Sequence, residues 1–216
     1  MTGVQTCALP ILLSPQTSVT ANLSWGRQTG YLADPYKVVE KSVEVIPGVV
    51  LPLTYAENRP GERNKWTLYL STNRAFPEVR AAAEVSYRFY HDTYGTNAHT
   101  IDTAWFQHLG ERVVLRPGFR FHDQSAARFY HYDLDRTALV PAYGPPRPSG
   151  PFYSSDYRLS ALRTLTYGLK LIVDVSSALQ FDAALERYDM RGRDGDRKST
   201  RLNSSHIPLS RMPSSA

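Results

Sequence analysis

The chain has 216 residues, a formal net charge of +5, 42% hydrophobic residues and 21% charged residues. That balance excludes a disordered polyelectrolyte and suffices for one folded domain. No run of roughly eighteen apolar residues occurs, which excludes a transmembrane helix but not a β-barrel, whose apolar residues sit at alternate positions.

The two ends stand apart from the rest. Met1–Ile11 (MTGVQTCALPI) reads as a sequencing adapter translated from a GTG start. Asp196–His206 (DRKSTRLNSSH) and Ser210–Ala216 (SRMPSSA) read as the matching adapter, with Ile207, Pro208 and Leu209 at the barcode position. Segments 1–11 and 196–216 are therefore expected to lie free of the fold, leaving 12–195 as a partial barrel domain. Cys7, the single cysteine, falls in the first segment. The second carries Arg197, Lys198, Arg201 and Arg211 against Asp196, so without it the net charge drops from +5 to +2. The high isoelectric point is thus no argument for a nucleic-acid partner.

Seven stretches alternate apolar and polar residues, the period of a strand with one greasy face. The first, Thr17 to Trp25, sets Val19, Ala21, Leu23 and Trp25 against Ser18, Thr20, Asn22 and Ser24. The connection that follows is long, Gly26 to Arg63; Val49 to Tyr55 within it suggests a small strand, while Pro47 and Pro52 suggest an irregular loop. The second strand is Asn64 to Ala75, the third Val79 to His91, the fourth His99 to His108 and the fifth Val113 to His122. The sixth, Tyr157 to Val175, spans nineteen residues, far beyond the usual strand of a soluble sheet. The seventh is Leu179 to Tyr188.

The connections sort by length. Phe76 to Glu78, Leu109 to Arg112 and Ser176 to Ala178 are short and fall on one side; the longer ones, including the Pro-rich Asp123 to Asp156, fall on the other. An up-and-down outer-membrane barrel has short periplasmic turns and longer outer loops. The predicted fold class is therefore all-β: an antiparallel up-and-down transmembrane β-barrel, incomplete, with about seven strands. Trp25, Trp66, Phe76, Tyr90, Trp105, Phe129, Tyr130 and Tyr132 are expected to form interfacial girdles. Arg163 on the greasy face is a flaw unless it lies at the outer surface.

The polar faces carry Arg80, Glu84, Arg88, Asp102, Arg116, Arg120, Lys170, Asp174, Asp182 and Glu186. Barrel interiors are polar, so these residues are expected to line a solvated lumen; Arg88, Arg116 and Arg120 would favour anions if it conducts. His91 and His99, with Asp92 between them, lack the tight spacing of a metal site. His122 and Ser125 suggest a hydrolase, but no G-x-S-x-G accompanies them. Neither metal nor cofactor is expected, and no phosphate loop or dinucleotide fingerprint occurs.

Four stretches carry a family resemblance: GYLADPYKVV (Gly30 to Val39), AAAEVSYRFYHDTYGTNAHTID (Ala81 to Asp102), LRPGFRFHDQSAARFY (Leu115 to Tyr130) and SDYRLSALRTLTYGLKL (Ser155 to Leu171). Together they resemble a bacterial family of exported β-barrels catalogued as domain of unknown function 3570. The resemblance implies an outer-membrane location and supplies no catalytic residues. It also implies members with further strands on both sides. The expected partners are outer-membrane lipid, small solutes and, for a full-length protein, the barrel-assembly machinery. The expected role is pore, transport or surface structure, not catalysis. A soluble secreted ligand-binding β-protein and an outer-membrane hydrolase are the alternatives.

Overall fold

The computed structural model describes residues 2–141, 147–176 and 179–193, together with the backbone of 199–205 and 210–211. Its strands are β1 (Thr2–Ser14), β2 (Thr17–Thr29), β3 (Val38–Ile46), β4 (Val49–Ala56), β5 (Glu62–Phe76), β6 (Ala81–Asp92), β7 (Asn97–Leu109), β8 (Val113–Gln124), β9 (Leu162–Ser176), β10 (Leu179–Gly192), β11 (Ser199–Ser205) and β12 (Ser210–Arg211). Ten of them form one antiparallel sheet in the order β1-β2-β5-β6-β7-β8-β9-β10-β11, with β12 also on β10, and β3 and β4 form a separate hairpin. The sheet is open, and its ten strands correct the expectation of seven. All seven predicted strands are present.

Three further expectations are corrected. The terminal segments do not stay off the sheet: β1 pairs with β2 from Thr2↔Gln28 to Ser14↔Thr17, and β11 pairs with β10. β1 is held by its backbone ladder to β2, and its side chains from Thr2 to Leu13 are exposed. Pro10 is tolerated there because an edge strand leaves one side of its ladder unpaired. The nineteen-residue strand is shorter: Tyr157–Leu159 is a 3₁₀ turn capped by Asp156, whose side chain accepts from the Arg158 amide, and β9 starts only at Leu162. The alternation of Tyr157, Leu159 and Ala161 imitated a strand. The small strand suggested at Val49 to Tyr55 is present as β4, and the irregular loop suggested by Pro47 and Pro52 is not: Pro52 sits on β4, which pairs only with β3. Gly144, Pro145 and Pro146 of the second long loop, and the turn residues Ser177 and Ala178, lie outside the described residues.

Every strand alternates between the two faces of the sheet, and the register sets like beside like. One row across the outer face reads Ala21, Leu70, Tyr87, Ile101, Phe121, Leu165. The row behind it on the other face reads Ser71, Ser86, Asp102, Arg120, Thr166, Tyr188. Large apolar side chains on the first face, among them Leu70, Ile101, Leu169, Leu171 and Leu185, are solvent-exposed. A soluble sheet buries such a face; here it has no cover among the described residues.

The buried core sits at the long-loop end. Tyr94, Ala127, Phe129, Tyr130 and Leu159 form one cluster and Val39, Leu134 and Tyr153 another. Both draw on residues 30–61 and 125–161, which meet over the strand ends. Phe129 and Tyr130 are therefore core rather than girdle. Tyr90 also leaves the girdle: it faces inward and its hydroxyl donates to Asp92 Oδ2 at 2.6 Å. Trp25 and Trp66 remain exposed direct cross-strand partners, and Phe76 stacks on Trp105 at 5.5 Å towards the turn end. Tyr132 is exposed in the long loop. Arg163 is the second residue of β9, beside the loop cap. It pairs with Asp123 at 3.1 Å, and Arg193 pairs with the same carboxylate at 3.0 Å.

Candidate functional site: a charged trough under a loop cap

The polar face curls into a trough of about 870 Å³ that crosses β5 to β10. Of the ten charged residues expected inside, Glu84, Arg88, Asp102, Arg116, Arg120, Lys170 and Glu186 line it. Asp182 lies beside it, 2.5 Å from Lys170 Nζ. The other two sit elsewhere. Arg80 occupies a tight turn with φ +52, and its guanidinium donates to Gly110 O at 2.9 Å. Asp174 lies near the turn end, where its carboxylate accepts from Gln180 at 2.8 Å.

Within the trough the charges divide into paired and unpaired groups. Arg120 reaches Asp102 at 3.5 Å and Lys170 reaches Asp182. Arg88 lies over the Tyr69 ring at 5.6 Å and Arg116 over the Phe106 ring at 5.0 Å; among the described residues neither has a carboxylate within ion-pair distance. Arg116 Nε is buried and without a hydrogen-bond partner. Alternation along β8 puts Arg116 on the same face as Gly118 and Arg120. Pro117 has no N–H to give the ladder, and pairing between β7 and β8 skips from Ala104↔Gly118 to Gln107↔Leu115.

The mouth is closed on one side by the cap. Tyr157 and Arg158 of the 3₁₀ turn line the trough with the strand residues. The alternation pattern set Arg158 among polar strand positions but gave no sign of this role, because it is fixed by a loop fold. Arg158 donates to Asp156 and reaches Asp34 at 3.1 Å. Arg59 donates to Asp156 at 2.8 Å and to Glu57 at 2.9 Å, and Ser154 donates to Glu57 at 2.6 Å. Gln124 donates to the carbonyls of Arg158 and Ser160, both at 3.0 Å, tying the turn to the end of β8. Burial pushes the Asp156 carboxyl up, but its bonds from Arg158 and Arg59 outweigh that and hold it below its ordinary value. Burial raises Tyr94 above the usual phenol value, against the opposing charge of Arg63. Burial likewise lowers His131.

The other candidate clusters do not assemble. His91 Nδ1 pairs with Asn97 Oδ1 at 2.7 Å and His99 Nδ1 with the Tyr87 hydroxyl at 2.7 Å, both on the outer face. Asp92 between them is fully buried and held by Arg63. Among the described residues no group of three or more His, Cys, Asp or Glu side chains could hold a metal. His122 Nδ1 is bonded to the Thr100 hydroxyl at 2.8 Å, while Ser125 Oγ accepts from the Asn97 amide at 2.8 Å.

Comparison with known proteins agrees with this architecture. The model of the family described as "Protein of unknown function (DUF3570)" matches residues 6–207. OmpT of Vibrio cholerae, an outer membrane protein solved in a trimer form, superposes with a TM-score of 0.54 at 9% identity over 99% of this chain and 52% of that one. A second structure of in-vitro folded OmpT gives 0.53 at 8% identity, over 94% of this chain and 52% of that one. At such identities the likeness is one of fold. The chain spans about half the length of these outer-membrane proteins. None of the curated proteins matches.

Proposed function

Since the chain belongs to the DUF3570 family, whose description supplies no role, we propose one from the two faces of its sheet: part of an outer-membrane β-barrel whose inner face forms a water-filled path for small solutes. The observation that carries this is the opposition of the faces. Leu169 and Leu171 stand exposed on one side of β9, while Lys170 between them faces the charged trough. Exposed leucines of this kind are satisfied by acyl chains, and alternation of lipid-facing and lumen-facing residues is the signature of spanning strands. Lipid is then the partner of the outer face, and a complete protein would be inserted by the barrel-assembly machinery. Backbone groups in a bilayer core need internal partners, so open sheet edges call for further strands.

The test is site-directed spin labelling of the chain folded into lipid vesicles, with Cys7→Ser as background. Labels at 169 and 171 are expected to be quenched by oxygen dissolved in the bilayer, and a label at 170 by an aqueous nickel chelate. The reverse pattern, or aqueous access at all three positions in chain that floats with the vesicles and keeps its β-sheet circular dichroism, overturns the reading.

A further inference from the structure

We infer that the trough holds a binding site for a small zwitterion, an α-amino acid head group, between Arg116 and Glu186. The inference rests on the reading of this face as water-filled. Its geometry follows from the register. One row across the trough reads Glu84, Ala104, Gly118, Gly168, Glu186 on β6 to β10. Three adjacent strands thus present no side chain beyond a methyl group. With strands about 4.8 Å apart, this bare floor is about 10 Å wide. The rows on either side lie about 7 Å away along the strands. One holds Asp102 and Arg120, the other Arg116 and Lys170.

The charges around the floor select the ligand. Arg120 and Lys170 are neutralised by Asp102 and Asp182. What remains beside the floor, among the described residues, is one unpaired cation, Arg116, and two carboxylates without an ion pair, Glu84 and Glu186; Arg88, also unpaired, lies about 13 Å further along β6. A simple anion would meet Arg116 but face two carboxylates; a simple cation would meet them but strand the arginine. A molecule carrying both signs within a few ångströms satisfies both. Arg116 has a buried Nε without a partner, and no carboxylate among the described residues fixes its guanidinium, which leaves the group able to turn its donors to a ligand carboxylate. Glu186 already leans inward: its Cγ lies 2.7 Å from where a Cβ on Gly168 would sit, so its stem covers Gly168 and bounds the open floor over Ala104 and Gly118. The ligand's ammonium would meet Glu186, and its side chain would rest on Ala104 and Gly118, beside the Phe106 ring that carries Arg116.

The test uses the full chain folded in detergent micelles and three probes with the same ring: L-phenylalanine, 3-phenylpropionate and 2-phenylethylamine. Binding is measured by saturation-transfer NMR. Gly118→Phe is chosen to fill the floor; a Cβ at 118 has room, meeting only Thr103 O at 3.7 Å. L-phenylalanine is expected to bind, and binding that Gly118→Phe abolishes is binding at this site, not partition into detergent. Arg116→Gln and Glu186→Gln are each expected to weaken it about tenfold. The inference is overturned if either single-charge probe binds as well as L-phenylalanine, if Gly118→Phe leaves binding unchanged while circular dichroism shows the sheet intact, or if nothing binds. Spin labels at 169 to 171 report separately on the membrane reading, so a correct lipid pattern without binding removes the site alone.

Discussion

Arg63 grips the fully buried carboxylate of Asp92 through Nε at 2.8 Å and Nη2 at 2.6 Å, joining the start of β5 to the end of β6. The other carboxylate oxygen accepts from the amides of Tyr94 and Thr96, shaping the turn into β7. One side chain thus serves an ion pair and a turn at once. Asp92→Ala is expected to destabilise the folded chain by about 3–5 kcal/mol, because it strands a largely buried guanidinium. Urea unfolding in micelles measures this. A loss below about 1 kcal/mol would mean that water replaces the carboxylate.

The same turn constrains Gly95, whose φ is +88 and whose missing Cβ would lie 2.7 Å from Arg128 Cγ. Arg128 has little freedom to withdraw: its amide donates to Tyr94 O at 2.9 Å and its guanidinium bonds Thr93 O. Gly110 has a similar φ of +73 with nothing within 4 Å. Gly110→Ala is expected to cost about 1–2 kcal/mol from backbone strain alone. Gly95→Ala should cost at least about 1 kcal/mol more. Equal losses in paired unfolding curves would show that Arg128 moves aside freely.

Acid should loosen the loop cap before it affects the sheet. The folded Asp156 carboxyl lies below its ordinary value because Arg158 and Arg59 hold its charged form. A depressed folded value contributes stability that is present above the unfolded value, about 3.9, and lost as pH falls through the folded one. Hydrogen exchange of the amides in 152–161 is therefore expected to accelerate below about pH 4, while those of β6 and β7 hold. Asp156→Asn should remove most of that pH dependence. If the variant retains it in full, another carboxylate governs the cap.

A cation on the outer face should disturb folding into a bilayer far more than one on the inner face. Leu169→Lys is expected to cost about 2–4 kcal/mol if the residue lies near the midplane. Thr166→Lys, on the trough wall, should fall within about 0.5 kcal/mol. Titrations of folding into vesicles compare the two directly. Equal effects would argue that the outer face does not meet lipid.

Period-two alternation made the strands legible, because each strand carries its own record of two environments. Trp66, Leu68 and Leu70 against Thr67, Tyr69 and Ser71 need no partner to be read. Loop structure leaves no such record. Tyr157, Leu159 and Ala161 alternate like a strand, yet the cap at Asp156 turns them into a 3₁₀ segment. Phe129 and Tyr130 look like girdle residues, yet two loops close over them. The bare floor is hidden for another reason: Ala104, Gly118 and Gly168 are unremarkable singly and become neighbours only through a register that joins three strands.

The position of the packed core also fixes an order of events. Glu57 meets Ser154 across 97 residues, and Asp34 meets Arg158 across 124. Between those partners lie β5, β6, β7 and β8, which must stand side by side before the two loops face each other. Local hairpins close quickly and distant contacts slowly. The aromatic clusters and their buried carboxylates are thus expected to settle after those four strands, a lock set only once the strands beneath are in register.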